Sequence, residues 1–198
     1  MYWCFTTQND LAAYFREYES ELGDFYLIYE KLNFQVIAIL PKRIYQFKSD
    51  LKALELHDRN NLCEYNQTLV QLDDTDPIKY LNAELASFSH QSQSGQTVPF
   101  FKGGLAGAVT FEGLSQLLGI DSSCTESPPM SFGLFDSFIV KELATGIVHV
   151  VGTVDTENTL TKFVREIQSG IYLNHSSEAD VAVNFSDFYK YRSNFRCF

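Results

Sequence analysis

The chain has 198 residues, 45% of them hydrophobic, 20% charged and 15% aromatic, with a formal net charge of −10. That is enough apolar material for a packed core, and it argues against an intrinsically disordered chain. The acidic balance excludes the basic stripe of a nucleic-acid binder and argues against an anionic membrane surface, since the densest basic stretch is only Lys190-Tyr191-Arg192 with Arg196.

In chain order, Asn9 and Asp10 can cap a first helix whose Leu11, Tyr14, Phe15, Tyr18 and Leu22 follow the 3.6-residue period, with Gly23 as its stop. Phe25–Tyr29 and Phe34–Leu40 read as strands, the second closed by Pro41, and Ile44–Phe47 alternates like a third. Residues 51–72 are ambiguous, with strands expected at Ala53–Leu56 and Leu69–Leu72. Asp76-Pro77 starts a second helix by placing a capping carboxylate before Pro at the first helical position. Ile78, Leu81, Leu85 and Phe88 make its apolar face, and Ser89–Thr97 is a polar loop. A glycine-bearing segment with strand-like Ala108–Phe111 follows, then a short helix near Leu114–Leu118 and a loop over Gly119–Pro129. Phe132–Val140 and Ile147–Thr153 form a hairpin around Ala144-Thr145-Gly146. Thr156–Ser169 is a helix with Leu160, Phe163, Val164 and Ile167 on one face, and the stretch from Tyr172 has no clear period. Helices interspersed with meander-like strand runs predict an α+β fold with a largely antiparallel β-sheet and packed helices.

No run of about 18 apolar residues is present. The start, Met1-Tyr2-Trp3-Cys4-Phe5-Thr6, lacks the features of a secretory leader, so a cytoplasmic protein is expected. Cys4, Cys63, Cys124 and Cys197 lie far apart without a C-x-x-C pair, which argues against zinc and disulfides. Free, mostly buried thiols are expected.

Several constellations could carry chemistry. Gly103, Gly104 and Gly107 have G-G-x-x-G spacing followed by a strand, not the G-x-G-x-x-G of a dinucleotide loop, and the Gly-Lys-Ser/Thr of a P-loop is absent. They read as a structural motif marking a bulge or close backbone approach. Asp73, Asp74 and Asp76 lack the spacing of a calcium loop. His57, His90, His149 and His175 have no H-x-x-x-H partner and read as surface or turn residues. No G-x-S-x-G elbow occurs. Glu30, just after an apolar strand, reads as a strand-end carboxylate in water. The residues alone yield no catalytic and no metal site.

The segment Phe101-Lys102-Gly103-Gly104-Leu105-Ala106-Gly107, ending in Thr110-Phe111-Glu112, resembles the "F-x-G-G-x-x-G-x-x-x-Y-D" segment of the chorismate-utilising component I enzymes. These are anthranilate synthase and 4-amino-4-deoxychorismate synthase. In the same order, Asp76-Pro77-Ile78 resembles their "D-D-P-L". Pro129-Met130 with Phe132-Gly133-Leu134-Phe135-Asp136 resembles "P-D-M-x-x-G-x-Y-D", and Ser193-Asn194-Phe195 resembles the "S-N-x-T/S" that opens the catalytic half. Phe34–Pro41 resembles the early "R-Y-S-x-I-G-x-x-P" strand.

The resemblance implies that residues 1–192 are an N-terminal-like domain, half of a layered α/β/β/α body, and that 193–198 begin a linker to a chorismate-binding domain. It implies no catalytic residue here, because the family's acid, base and magnesium-binding carboxylates belong to the other half. Mg2+ is implied for the full-length enzyme and no cofactor for this chain, which alone is expected to be inactive. The implied partners are the chorismate-binding half and a glutamine amidotransferase, with no nucleic acid and no membrane. The family's effector strand, "L-L-E-S"-like, falls on Leu27-Ile28-Tyr29-Glu30-Lys31. Tyr29, Glu30 and Lys31 are thereby candidate effector-binding residues, with a carboxylate where serine is usual. The missing serine and the short span before Ser193 favour aminodeoxychorismate synthase over anthranilate synthase. A free-standing aromatic amino-acid-binding domain and an inert truncated remnant are the alternatives. If the sheet normally packs on another half, self-association through an exposed sheet is expected.

Overall fold

In the computed structural model, residues 1–17, 26–48, 51–61, 64–72, 76–91, 102–120 and 128–169 are described. Ten strands among them form two five-stranded sheets. The first sheet has the spatial order β1 (Tyr2–Thr6), β10 (Ile147–Val151), β9 (Phe138–Glu142), β3 (Phe34–Ala38), β2 (Leu27–Lys31). The second runs β6 (Glu64–Gln71), β5 (Ala53–Asn61), β4 (Arg43–Phe47), β8 (Met130–Phe135), β7 (Gly104–Val109). Every pairing is antiparallel. The helices are α1 (Leu11–Glu17), α2 (Pro77–Gln91), α3 (Phe111–Leu117) and α4 (Glu157–Ser169), the last entered through a 3-10 turn at Val154–Thr156. The fold is α+β.

Each sheet carries helices on one face. Leu11, Tyr14 and Phe15 of α1 and Leu160, Phe163, Val164 and Ile167 of α4 cover Ile37, Ile139, Val148 and Val150 of the first sheet. On the second sheet, Leu81 of α2 packs with Tyr45, Phe47, Leu54, Leu56 and Leu134, with Leu117 of α3 against the same cluster. The opposite faces meet in a third core, where Val36, Ala38 and Val140 of the first sheet pack with Phe135 and Ala106 of the second. The layers therefore run helix, sheet, sheet, helix.

The helix starts follow the capping residues. The Asp10 carboxylate accepts from the Ala12 N–H at 2.9 Å and the Ala13 N–H at 3.3 Å. Asp76 accepts from the Ile78 N–H at 2.8 Å. Each satisfies backbone donors that have no partner inside the helix. The remainder of the predicted first helix, Tyr18 to Gly23, lies outside the described residues.

The structure departs from four of the expected element boundaries. The apolar run Phe132–Val140 is two strands in different sheets, joined at Asp136-Ser137, whose side chains find partners at the junction. Strands β5 and β6 run to nine and eight residues, well beyond Ala53–Leu56 and back from Leu69, because antiparallel pairing needs only the backbone and leaves polar side chains to water. The strand expected through Phe111 stops at Val109, since Thr110 turns to extended geometry and its hydroxyl accepts from the Gly113 N–H at 3.1 Å, opening α3. The helix expected to end before Ser89 continues to Gln91.

Candidate functional site

The glycine segment forms the edge of the second sheet. Gly104 pairs with Phe135 and Gly107 with Phe132. A side chain on Gly107 would press into the Ser131 carbonyl and the Phe132 ring and lie 2.5 Å from the Phe132 Cα. Gly103 has φ +83°, and a Cβ there would sit 2.7 Å from the Phe135 carbonyl oxygen. The Leu85 and Phe88 side chains of α2 close over Gly104 and Gly103 respectively. These glycines thus let β7 approach β8 closely and let α2 pack on β7. The glycines stand before and inside β7, not in the connection from β7 to α3, so they form no strand–loop–helix phosphate cradle.

The candidate effector residues Tyr29, Glu30 and Lys31 share β2 but not a face, because successive strand side chains alternate. Tyr29 packs with the inter-sheet core, whereas Ile28 belongs with the helix-facing core and Glu30 shares its side. Glu30 pairs in register with Gln35, and Gln35 with Lys141. The Gln35 amide donates to Glu30 Oε1 at 2.6 Å and to Asp10 Oδ1 at 3.4 Å. The Lys141 ammonium donates to the Asn9 carbonyl oxygen at 2.6 Å. Gln35 and Lys141 are buried, while Asp10 and Glu30 reach the surface. Burial lowers the pKa of Lys141, opposed by the carboxylates of Asp10 and Glu30. The Gln35 Oε1 is buried without a hydrogen-bond partner. The cluster presents two carboxylates above a buried amide and ammonium, chemistry suited to holding an amine rather than to covalent catalysis. Strand register assembles it, so Asp10, Gln35 and Lys141 were not apparent as site residues in the sequence.

Two further polar groups pin the layers. The Arg59 side chain, almost wholly buried, donates to both carboxylate oxygens of Asp136, with a closest distance of 3.2 Å, and to the Leu40 carbonyl. Leu40 follows β3 and Asp136 follows β8, so one guanidinium ties both chain crossings between the sheets. Beside it, the Ser137 and Thr156 hydroxyls share a buried 2.9 Å hydrogen bond. On the other face of the second sheet, Arg43 donates to Asp58 at 2.5 Å and to Glu84 of α2 at 2.8 Å. The Tyr45 phenol donates to the same Glu84 oxygen at 2.7 Å. Its hydrogen bond to Asp58 raises the pKa of Arg43 against the opposing effect of burial.

Burial, then the hydrogen bond to Glu84, raises the Tyr45 pKa above its ordinary 10.0. The unfolded phenol loses its proton near pH 10.0 while the folded one keeps it. This group's contribution is therefore complete below that pH and falls as pH rises through and beyond it. Tyr45→Phe is expected to flatten the alkaline loss of stability, while costing about 1–2 kcal/mol at neutral pH through the lost hydrogen bond. Urea midpoints compared at about pH 8 and about pH 10.5 check both effects.

Cys4 is exposed, against the expectation of burial, and Cys63, Cys124 and Cys197 lie outside the described residues. His149 bonds the Tyr2 hydroxyl at 2.7 Å. His57 is half-buried beside Glu55, and its Nε2 has no hydrogen-bond partner. The side chain of His90 and all of His175, Asp73, Asp74, Phe101 and Ser193-Asn194-Phe195 lie outside the description. Among the described residues, no group of three His, Cys, Asp or Glu side chains could hold a metal ion, and no helix is long and apolar enough to cross a membrane. Comparison with protein-family models and with curated proteins finds no match to this chain.

Proposed function

We propose that this chain is the N-terminal, non-catalytic part of a chorismate-aminating synthase component I, with 4-amino-4-deoxychorismate synthase favoured over anthranilate synthase. The observation that supports this reading is spatial. Two segments that resemble the family, beginning at Phe101 and Pro129, are separate in sequence but pair in the second sheet, and the helix that Asp76-Pro77-Ile78 opens packs on the first of them. In this reading the chain supplies scaffold and a candidate effector pocket in a cytoplasmic enzyme. The chorismate-binding half supplies the acid–base chemistry and its Mg2+, and a glutamine amidotransferase supplies ammonia. No catalytic residue and no cofactor is assigned to this chain.

The test is to combine the chain with a separately produced chorismate-binding half of an aminodeoxychorismate synthase. The expected result is a one-to-one complex that aminates chorismate with ammonia and Mg2+, where the chain alone does not. Neither complex nor gain in activity would count against the reading. The polar cluster at Glu30 favours a second reading, a free-standing domain that binds an aromatic amino acid through its ammonium. Equilibrium dialysis of the chain with tryptophan and phenylalanine separates the two, and no binding by the isolated chain removes the second.

A further inference from the structure

The surface around α3 is unlike the rest of this acidic molecule. Phe111, Leu114 and Leu118 recur at helical spacing and are 79%, 50% and 67% exposed. Val109 before the helix and Ile120 after it are 39% and 58% exposed. The other side of the same short helix is committed to the fold. Gly113 lies against Pro129, and Leu117 packs with the core beneath α2. The stripe is therefore a second apolar face on an element that already has a buried one.

Its extent decides what can cover it. The five side chains expose on the order of 500 Å2 of apolar surface. The largest apolar patch on a soluble monomer is about 300–600 Å2 and is often functional, so the stripe stands in the upper part of that range. A stable pairing of two chains takes about 800 Å2 from each. The stripe supplies more than half of that as an apolar centre, and a polar rim around it would complete an interface of that size.

Charge at the stripe is compatible with a second copy. Residues 104–120 contain a single charged side chain, Glu112, in a chain whose formal net charge is −10. Two copies can thus meet here without bringing their acidic surfaces together at the centre of contact. The strand leading into the stripe carries none of the charges or prolines that normally block an edge, and among the described residues β7 pairs with β8 alone. A two-fold axis requires a patch complementary to itself, which an uncharged apolar helix face satisfies.

We infer that two copies of this chain associate through the stripe Val109, Phe111, Leu114, Leu118 and Ile120, forming a closed dimer about a two-fold axis. This does not rest on the proposed function, which concerns a different partner and is tested by a different assay. The experiment is sedimentation of the full 198-residue chain across a concentration series. The expected species has twice the 22.6 kDa mass of one chain. Phe111→Asp and Leu118→Asp are each expected to weaken the dimer by on the order of 30-fold or more while the thermal transition is kept, since both side chains are mostly in water in one copy. Leu32→Asp and Val154→Asp, at positions 85% and 80% exposed elsewhere on the molecule, should leave the dimer intact. A chain that stays monomeric overturns the inference. So does a dimer that survives Phe111→Asp and Leu118→Asp, a dimer lost equally in Leu32→Asp, or open-ended aggregation without a defined mass. A chain monomeric alone that buries the stripe only against the separately produced chorismate-binding half overturns it as well.

Discussion

Arg59→Ala is expected to destabilise the protein by about 3–5 kcal/mol, the cost of leaving a buried charge without its partner. Arg59 bonds both the Leu40 carbonyl after β3 and the Asp136 carboxylate after β8. Its side chain is 3% exposed and that of Asp136 is 11% exposed, so water cannot replace the lost contacts. Set against a typical domain stability of about 5–15 kcal/mol, the loss takes a large share of the total. Urea unfolding of Arg59→Ala, Asp136→Ala and the double variant measures it. The double variant should be less destabilised than the sum of the singles, because removing both charges leaves neither buried alone. Arg59→Lys should rescue little, since a single ammonium cannot span the carboxylate and the carbonyl as a planar guanidinium does. Additive losses of a few tenths of a kcal/mol would show that the ion pair does not fasten the two sheets.

The second large effect concerns Gly107. Gly107→Val is expected to cost on the order of 3 kcal/mol, from overpacking where the strand lies too close to β8 for any side chain. The added atoms would collide with the Ser131 carbonyl and the Phe132 backbone, neither of which is the free end of a flexible side chain. Since Phe132 also packs with the second-sheet core, displacing it disturbs the packing beneath α2. Thermal unfolding reads the change directly. A melting temperature unchanged by Gly107→Val would contradict the close approach and return the glycines to a role outside the fold.

The sequence made the local elements legible wherever one period and one burial face coincide. Leu160, Phe163, Val164 and Ile167 all point inward from α4, as their spacing predicts. Asp76-Pro77 opens α2, and the turn through Gly146, with φ +71°, closes the β9–β10 hairpin. What was not legible depends on which sheet a strand joins. A two-residue alternation is the same in either sheet, so Phe132–Val140 gives no sign that the chain crosses at Asp136. Arg59 lay in the ambiguous stretch from residue 51 to 72, where polar residues hide a long strand, and its role exists only once β5 ends beside that crossing. The candidate site divides in the same way. Glu30 was found by its position after an apolar strand and by resemblance, but Asp10, Gln35 and Lys141 join it only through the register of β2, β3 and β9 and the cap of α1. Tyr29 and Lys31 were neighbours of Glu30 in sequence, and the pleat turns them to the opposite face.

The most direct test of the proposed identity is to read the nucleic acid downstream of the Phe198 codon. The account predicts that coding potential continues, in or out of frame, into a chorismate-binding half carrying the acid, base and magnesium-binding carboxylates that the resemblance assigns to that half. A stop followed by unrelated sequence would contradict it.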